Sequence, residues 1–348
     1  MLPFEKLIFV WKKLNGSAMM MAYQPFIVCT QKNIPCSVVS KDFILKECQD
    51  IKNSVLFLVK TDFDIKIFEI LNKNKNKIVY IPGDTDENHI VNYAQAHPTK
   101  ISGIVVSNES IIKKIQNQEN IKIKTIVNNF DLFLDQNKFK NEREEKLRFL
   151  FSGAKYYRGV PLNGDLGWDK LRSSNPDLEF EETYWCPLKD LSRMTNLDHK
   201  SLEHYSLNLY ADSQESNSSV SDIDLNPSKW SCHYGVRAPW VGDYAAYWSN
   251  KSATKLITAA GSGANIITSL DPAVMQLIDK DYPYAIDTEL SKFRQNYDQE
   301  CDNMIKKVKE TYKTKVWFDG LEMLREVREK TSCEVITQQY INFAQELF

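Results

Sequence analysis

The stretch WSNKSATKLITAAGSGANIITSLDP, residues 248–272, decides the fold. A polar turn ending at Lys251 and Ser252 feeds a helical run with Leu256, Ile257 and Ala260 on one face. The run is expected to stop at Gly261-Ser262-Gly263. A short apolar strand, Asn265 to Thr268, follows and opens into a second polar turn, Ser269 to Pro272. Helix, glycine stop, buried strand and polar loop make half of a doubly wound α/β unit. Ligands in such sheets bind outside the carboxyl ends of the strands, against helix N-termini whose N–H groups attract phosphate. The helix start here carries Lys251, Ser252, Thr254 and Lys255, a set suited to a diphosphate.

Working outward, the first half of the chain alternates strands and helices. Strands are expected at Leu7–Val10, Ser37–Val39, Val55–Val59, Ile78–Ile81, Ile104–Val106 and Lys124–Val127. Between them, Ile67, Ile70 and Leu71, or Ile111, Ile112 and Ile115, recur at helical spacing. Short β-branched runs separated by such helices predict a parallel sheet covered on both faces. Asn128-Asn129-Phe130-Asp131 then leads into the charged stretch Asp135 to Lys146, the expected interdomain linker. A second series runs through Leu147–Phe151, Leu178–Glu182, Leu207–Leu209 and Ser231–Val236, with a polar loop at Ser213 to Ser228. Ser291 to Lys313 reads as a charged helix, and Gly320 to Phe348 keeps helical periodicity. The expected organisation is a domain over 1–140, a second over 141–330, and a final helix over 331–348 that packs back on the first.

The 348 residues allow two domains of ordinary size, each able to bury a core. A net charge of −2 with interspersed signs gives no global field for nucleic acid, and none is expected as a partner. The Lys73 to Lys77 run is short and diluted by asparagine, as in a solvated loop. Seven scattered cysteines with no CxxC pair point to free thiols in a reducing compartment, not to a disulfide frame or a zinc site. No run reaches the ~18–20 apolar residues that cross a bilayer. Met1 to Trp11 has no small-residue cleavage site and reads as a first strand. A cytoplasmic protein is expected, with room for peripheral work at the inner membrane face and for a homodimer.

Two successive doubly wound domains joined near residue 140 resemble the GT-B architecture of nucleotide-sugar glycosyltransferases, of the family 1 and family 4 type. Three places carry the resemblance. Gly103 to Ser107, followed by Lys124 to Asp131, is similar to the last strands before that family's linker. Leu147 to Gly153, then Lys155 and Arg158-Gly159, resembles the first strand and loop of its nucleotide domain. Lys255 to Ile267 looks like its donor-binding helix and the strand after it. The resemblance implies an α/β fold with two Rossmann-like domains facing a cleft. It also implies transfer of a sugar from a nucleotide-sugar donor to a glycan or lipid-linked acceptor, as in surface polysaccharide biosynthesis. No metal and no cofactor beyond the donor substrate are implied. Many retaining members hold the ribose with a glutamate where this chain has Thr258, which leaves the stereochemical outcome open.

Glycosyl transfer needs positive charge or N–H dipoles on the leaving diphosphate, and an inverting enzyme also needs a base for the acceptor hydroxyl. Lys251, Ser252, Thr254, Lys255 and Thr258 are the donor-side candidates on the helix. Lys155, Arg158 and Arg237 are candidate diphosphate contacts from loops, and Asp271 a candidate partner for sugar hydroxyls or a helix cap. Asp84, Asp86 and His233 are the catalytic candidates; Asp84-Thr85-Asp86 reads equally as a turn or N-cap. Gly16-Ser17 is a glycine turn that would face the acceptor, and Met19 to Met21 beyond it read as core. A nucleotide-sugar 2-epimerase shares the architecture, and a catalytically inactive GT-B-like partner subunit is the non-enzymatic alternative. A dehydrogenase lacks its GxGxxG here and a P-loop enzyme its GxxxxGK[ST].

Overall fold

The computed structural model describes residues 2–12, 19–83, 87–97, 99–115, 121–130, 146–152, 172–183, 231–236, 251–286 and 290–348. Strands β1 (Lys6–Trp11), β2 (Cys36–Ser40), β3 (Ser54–Val59), β4 (Lys77–Ile81), β5 (Gly103–Val106) and β6 (Lys122–Thr125) form one all-parallel sheet in the order β2-β1-β3-β4-β5-β6. Helices α1 (Gln24–Gln31), α2 (Lys41–Glu47), α3 (Ile65–Lys73), α4 (Glu87–Ala96) and α5 (Glu109–Ile115) connect the strands. The run SVLFLV of β3 is buried throughout, as a strand covered on both faces must be. Asp64 caps α3 by accepting from Lys66 N and Ile67 N, and Ser40 caps α2 by accepting from Phe43 N. A π-helical turn, Met19–Tyr23, precedes α1, and Met20 and Met21 are buried there.

The sheet of the second half runs β11-β10-β9-β7-β8, again parallel throughout. Its strands are β7 (Arg148–Ser152), β8 (Glu179–Thr183), β9 (Cys232–Gly235), β10 (Asn265–Ser269) and the two-residue β11 (Ala285–Ile286). Helices α6 (Thr254–Ser262), α7 (Pro272–Met275), α8 (Leu290–Thr311), α9 (Lys315–Lys330) and α10 (Cys333–Glu346) complete the described chain. Leu256, Ile257, Ala259 and Ala260 of α6 pack in one core with Phe149, Tyr234, Ile266 and Trp317. Burial of Leu256 and Ile257 stabilises by roughly 1.5–3 kcal/mol each.

Three local expectations are corrected. Gly261 and Ser262 lie inside α6, and Gly263, at φ 64°, is what ends it. Gly261 serves packing: a Cβ there would stand 2.7 Å from Phe130 Cβ. β6 begins and ends two residues earlier than the expected Lys124–Val127, although Ile126 N still donates to Val106 O at 2.9 Å. The final strand, β11, was not expected at all. The expected strand at 207–209, the polar loop at 213–228 and the body of the linker lie outside the described residues.

The last helix belongs to the first sheet. Ile336, Tyr340, Phe343 and Ala344 of α10, with Leu347 just after it, share a core with Phe9, Phe57, Val79 and α1, while α2 to α5 cover the opposite face. The chain therefore passes between the sheets twice, near Phe130 and near Thr331. The two passages touch: Phe130 N donates to Thr331 O at 3.1 Å.

Candidate functional site

Open parallel sheets bind ligands where neighbouring strands send their connections to opposite sides. In the second sheet that crevice lies between β7 and β9, since β8 flanks β7 on one side and β10 flanks β9 on the other. Lys255, in the first turn of α6, spans this crevice. Its Nζ lies 4.2 Å from the ring centroid of Phe151, the penultimate residue of β7. Its stem packs on Gly235, the last residue of β9, where a Cβ would stand 3.2 Å from Lys255 Cβ and 2.9 Å from Ile266 Cδ1. A glycine at the end of β9 is thus what lets the lysine settle over the sheet edge.

The start of α6 has no side-chain cap. Ala253 occupies the N-cap position and supplies no side-chain acceptor to the first-turn N–H groups. Ser252 is buried and its hydroxyl lies 2.7 Å from that of Thr254; Lys251 is half-buried beside it. Thr258 donates to Thr254 O at 2.9 Å, which leaves its oxygen as an acceptor one turn into the helix. Asp271 is 1% exposed and caps α7 by accepting from Val274 N at 2.9 Å. This is the helix-capping role, and it occupies one carboxylate oxygen. His233 is 1% exposed and second in β9, in register with Leu150 and Ile266, on the face opposite Tyr234. It stands two residues before the end of β9.

The carboxyl edges of the two sheets face each other. Asn128, just past β6, donates its Nδ2 to Thr254 Oγ1 at 3.0 Å. Glu109 N, just past β5, donates to Gln276 Oε1, which follows β10, at 3.1 Å. Both pairs join a group beyond the end of a first-sheet strand to one beyond the end of a second-sheet strand. Asn128, Gly235 and Phe151 are not among the residues the sequence points to; the pair Tyr234-Gly235 ending a buried strand is the available signal for Gly235. Gly16, Ser17, Asp84, Asp86, Lys155, Arg158 and Arg237 lie outside the described residues, though Gly83, Ser152 and Val236 bring the described chain to their threshold.

On the first sheet Tyr80 of β4 stacks on Tyr93 of α4, centroids 3.9 Å apart, with His89 Nε2 3.3 Å from the Tyr80 hydroxyl. Burial, with Asp62 nearby, pushes the Tyr80 phenol up to about 12 and raises Tyr93 as well, while burial lowers His97. Both phenols stay neutral at ordinary pH; they pack against each other, and the Tyr80 hydroxyl also meets His89. Among the described residues no three His, Cys, Asp or Glu side chains gather as metal ligands, and no helix is long and apolar enough to cross a membrane.

No family model and no curated protein matches this chain. Solved structures do match in fold. A glycosyltransferase from Rickettsia africae superposes with a TM-score of 0.62 at 11% identity, over 99% of this chain and 98% of its own. HepE of Anabaena, solved with UDP-glucose, gives 0.56 at 10% identity over 99% and 100%. The pneumococcal O-GlcNAc transferase GtfA, solved with UDP and GlcNAc, gives 0.56 at 15% identity over 88% of this chain. This chain spans about three fifths of GtfA, 59% of its length. At such identities the likeness defines the fold: GT-B, two Rossmann-like domains whose strand ends face a common cleft.

Proposed function

We propose that the protein is a glycosyltransferase that moves a sugar from a nucleotide-sugar donor, held on the second sheet, to an acceptor held on the first. One observation carries this: Lys255 lies over the β7–β9 crevice at the head of a helix with no side-chain cap, and that head faces the other sheet's strand ends. The leaving group of such a reaction is a nucleoside diphosphate or monophosphate. Its charge is met by the α6 N–H groups and by the ammonium groups of Lys251 and Lys255, which act most strongly as negative charge builds on the departing oxygen. Thr258 lies one turn further, within reach of a ribose or sugar hydroxyl. Arg237, Lys155 and Arg158 follow the strands flanking the crevice in sequence and are proposed to complete the phosphate contacts. Asp84 or Asp86, following β4 and Gly83, is proposed as the base that takes the acceptor proton. The chemistry proposed requires no metal. A glycan or lipid-linked acceptor and a role in surface polysaccharide assembly are the finer parts of the same proposal, as is work at the cytoplasmic membrane face. The bound UDP and UDP-glucose of the two fold relatives above support the donor class.

A thermal-shift screen against UDP, GDP, CMP, dTDP and their sugars, with NAD as a control, tests the proposal, because a ligand of the folded state raises the melting temperature by mass action. One nucleotide is expected to stabilise the wild type selectively. Lys251→Ala with Lys255→Ala is expected to weaken its binding by about 10-fold or more, the loss of charge-assisted contacts. Undiminished affinity in the double variant, or a shift with NAD alone, contradicts it.

A further inference from the structure

The carboxyl edge of the first sheet holds a cation and a set of polar groups that the reaction above does not use. Lys60, the residue after β3, adopts φ 48°, a conformation non-glycine residues seldom take. Its N–H donates to Ile81 O at 2.8 Å, pinning the turn to the end of β4. Its side chain then runs across Gly83, itself at φ 71°. A Cβ on Gly83 would stand 1.9 Å from Lys60 Cε and 2.9 Å from Nζ. The glycine therefore leaves the space that the lysine fills. Among the described residues the ammonium has no hydrogen-bond or ion-pair partner, and Asp62, the acid nearest in sequence, is 3.4 Å from Lys41 Nζ.

Independent of that cation, buried polar atoms without partners collect along the same edge. Thr61, next to Lys60, is 3% exposed and its Oγ1 makes no hydrogen bond. The same holds for Trp11 Nε1 at the end of β1 and Ser107 Oγ just past β5. Trp11 is in register with Val59, and Val59 with Ile81, so Lys60 and Thr61 follow directly on the level of Trp11, and Ser107 lies two residues past Val105, the neighbour of Ile81. A buried polar group without a partner costs about 1–3 kcal/mol. Several beyond neighbouring strand ends, on the edge that holds an ammonium, call for a ligand rich in acceptor oxygens. Ammonium and indole N–H can only donate, and the hydroxyls can donate as well.

We propose that Lys60, Thr61 and Gly83 form an anion subsite on the first sheet, and that the acceptor is a molecule carrying a phosphate or carboxylate group seated there. The word acceptor rests on the glycosyltransferase proposal; the anion subsite does not. Trp11 and Ser107 extend the subsite along the strand ends, where the rest of the acceptor lies.

Calorimetric titration of the full chain with inorganic phosphate, with and without UDP, tests this. The wild type is expected to show a phosphate-binding component that UDP does not displace. Lys60→Met is expected to weaken that component by about tenfold, the worth of roughly one charge-assisted contact, while UDP affinity stays as it was. Lys60→Arg, which keeps the charge, is expected to retain it. Glucose 1-phosphate, glucuronate and geranyl phosphate are expected to compete, and glucose is not. Preference for geranyl phosphate assigns the anion to a lipid-linked acceptor, and preference for glucuronate to an acidic glycan. Equal phosphate binding by wild type and Lys60→Met, absence of the UDP-resistant component, or equal competition by glucose overturns the subsite. Failure of UDP, GDP, CMP and dTDP alike to bind the wild type counts against the glycosyltransferase proposal alone, since the comparison of the Lys60 variants with phosphate still stands.

Discussion

At the scale of single residues, Gly235 and Lys255 depend on each other. The lysine can cross from α6 to the Phe151 ring only because nothing projects from Gly235 into its stem. Gly235→Ala therefore keeps every charge yet pushes Lys255 and Ile266 apart. Titration of the favoured nucleotide should show weakened binding by about fivefold to tenfold, with a stability loss of about 1–3 kcal/mol from overpacking. Nucleotide affinity equal to wild type would show that the position of Lys255 is immaterial. The helix start with Lys251 and Lys255 was legible from sequence as a position, because a polar turn leads there into an apolar helical run that a glycine ends; its phosphate contact is the proposal made above. Gly235 was not, because its role is defined by a side chain twenty residues later. Thr254 illustrates the same limit: its hydroxyl is met by Asn128, from the other half of the chain.

At the scale of elements, the strands were legible because β-branched runs such as SVLFLV, buried on both faces, have no other stable setting. The misplacements have physical causes. Gly261 reads as a helix stop because glycine costs roughly 1 kcal/mol inside a helix, but close approach to Phe130 overrides that preference. β6 was placed late because Ile126 is apolar for the sake of the core beyond the strand. β11 is too short to show a period. Helix α10 meets the first sheet through Tyr340, which is 2% exposed and meets Phe9 and Phe57 edge-on at 5.7 and 5.2 Å. Tyr340→Ala should cost about 3–5 kcal/mol, as other buried aromatic truncations do, read as a shift in denaturation midpoint. A loss below about 1 kcal/mol would mean that α10 only rests on that face.

At the scale of the molecule, function is proposed to arise from two carboxyl edges brought together by a chain that crosses between sheets twice. Neither edge alone holds both the uncapped start of α6 and the surface opposite it that the proposal gives to the acceptor. The double crossing at Phe130 and Thr331 and the Asn128–Thr254 and Glu109–Gln276 contacts hold the edges against each other. Pattern in the sequence showed two doubly wound series. It did not show which strand ends would meet, because that depends on contacts between residues far apart in the chain. Amide hydrogen exchange with and without the nucleotide that stabilises the protein tests the central claim most directly. The expected result is slowed exchange at the first turn of α6 and at the ends of β7 and β9, with a smaller effect at Asn128. Protection that spares α6 and appears elsewhere, or no protection at saturating nucleotide, would contradict the assignment of this cleft as the donor site.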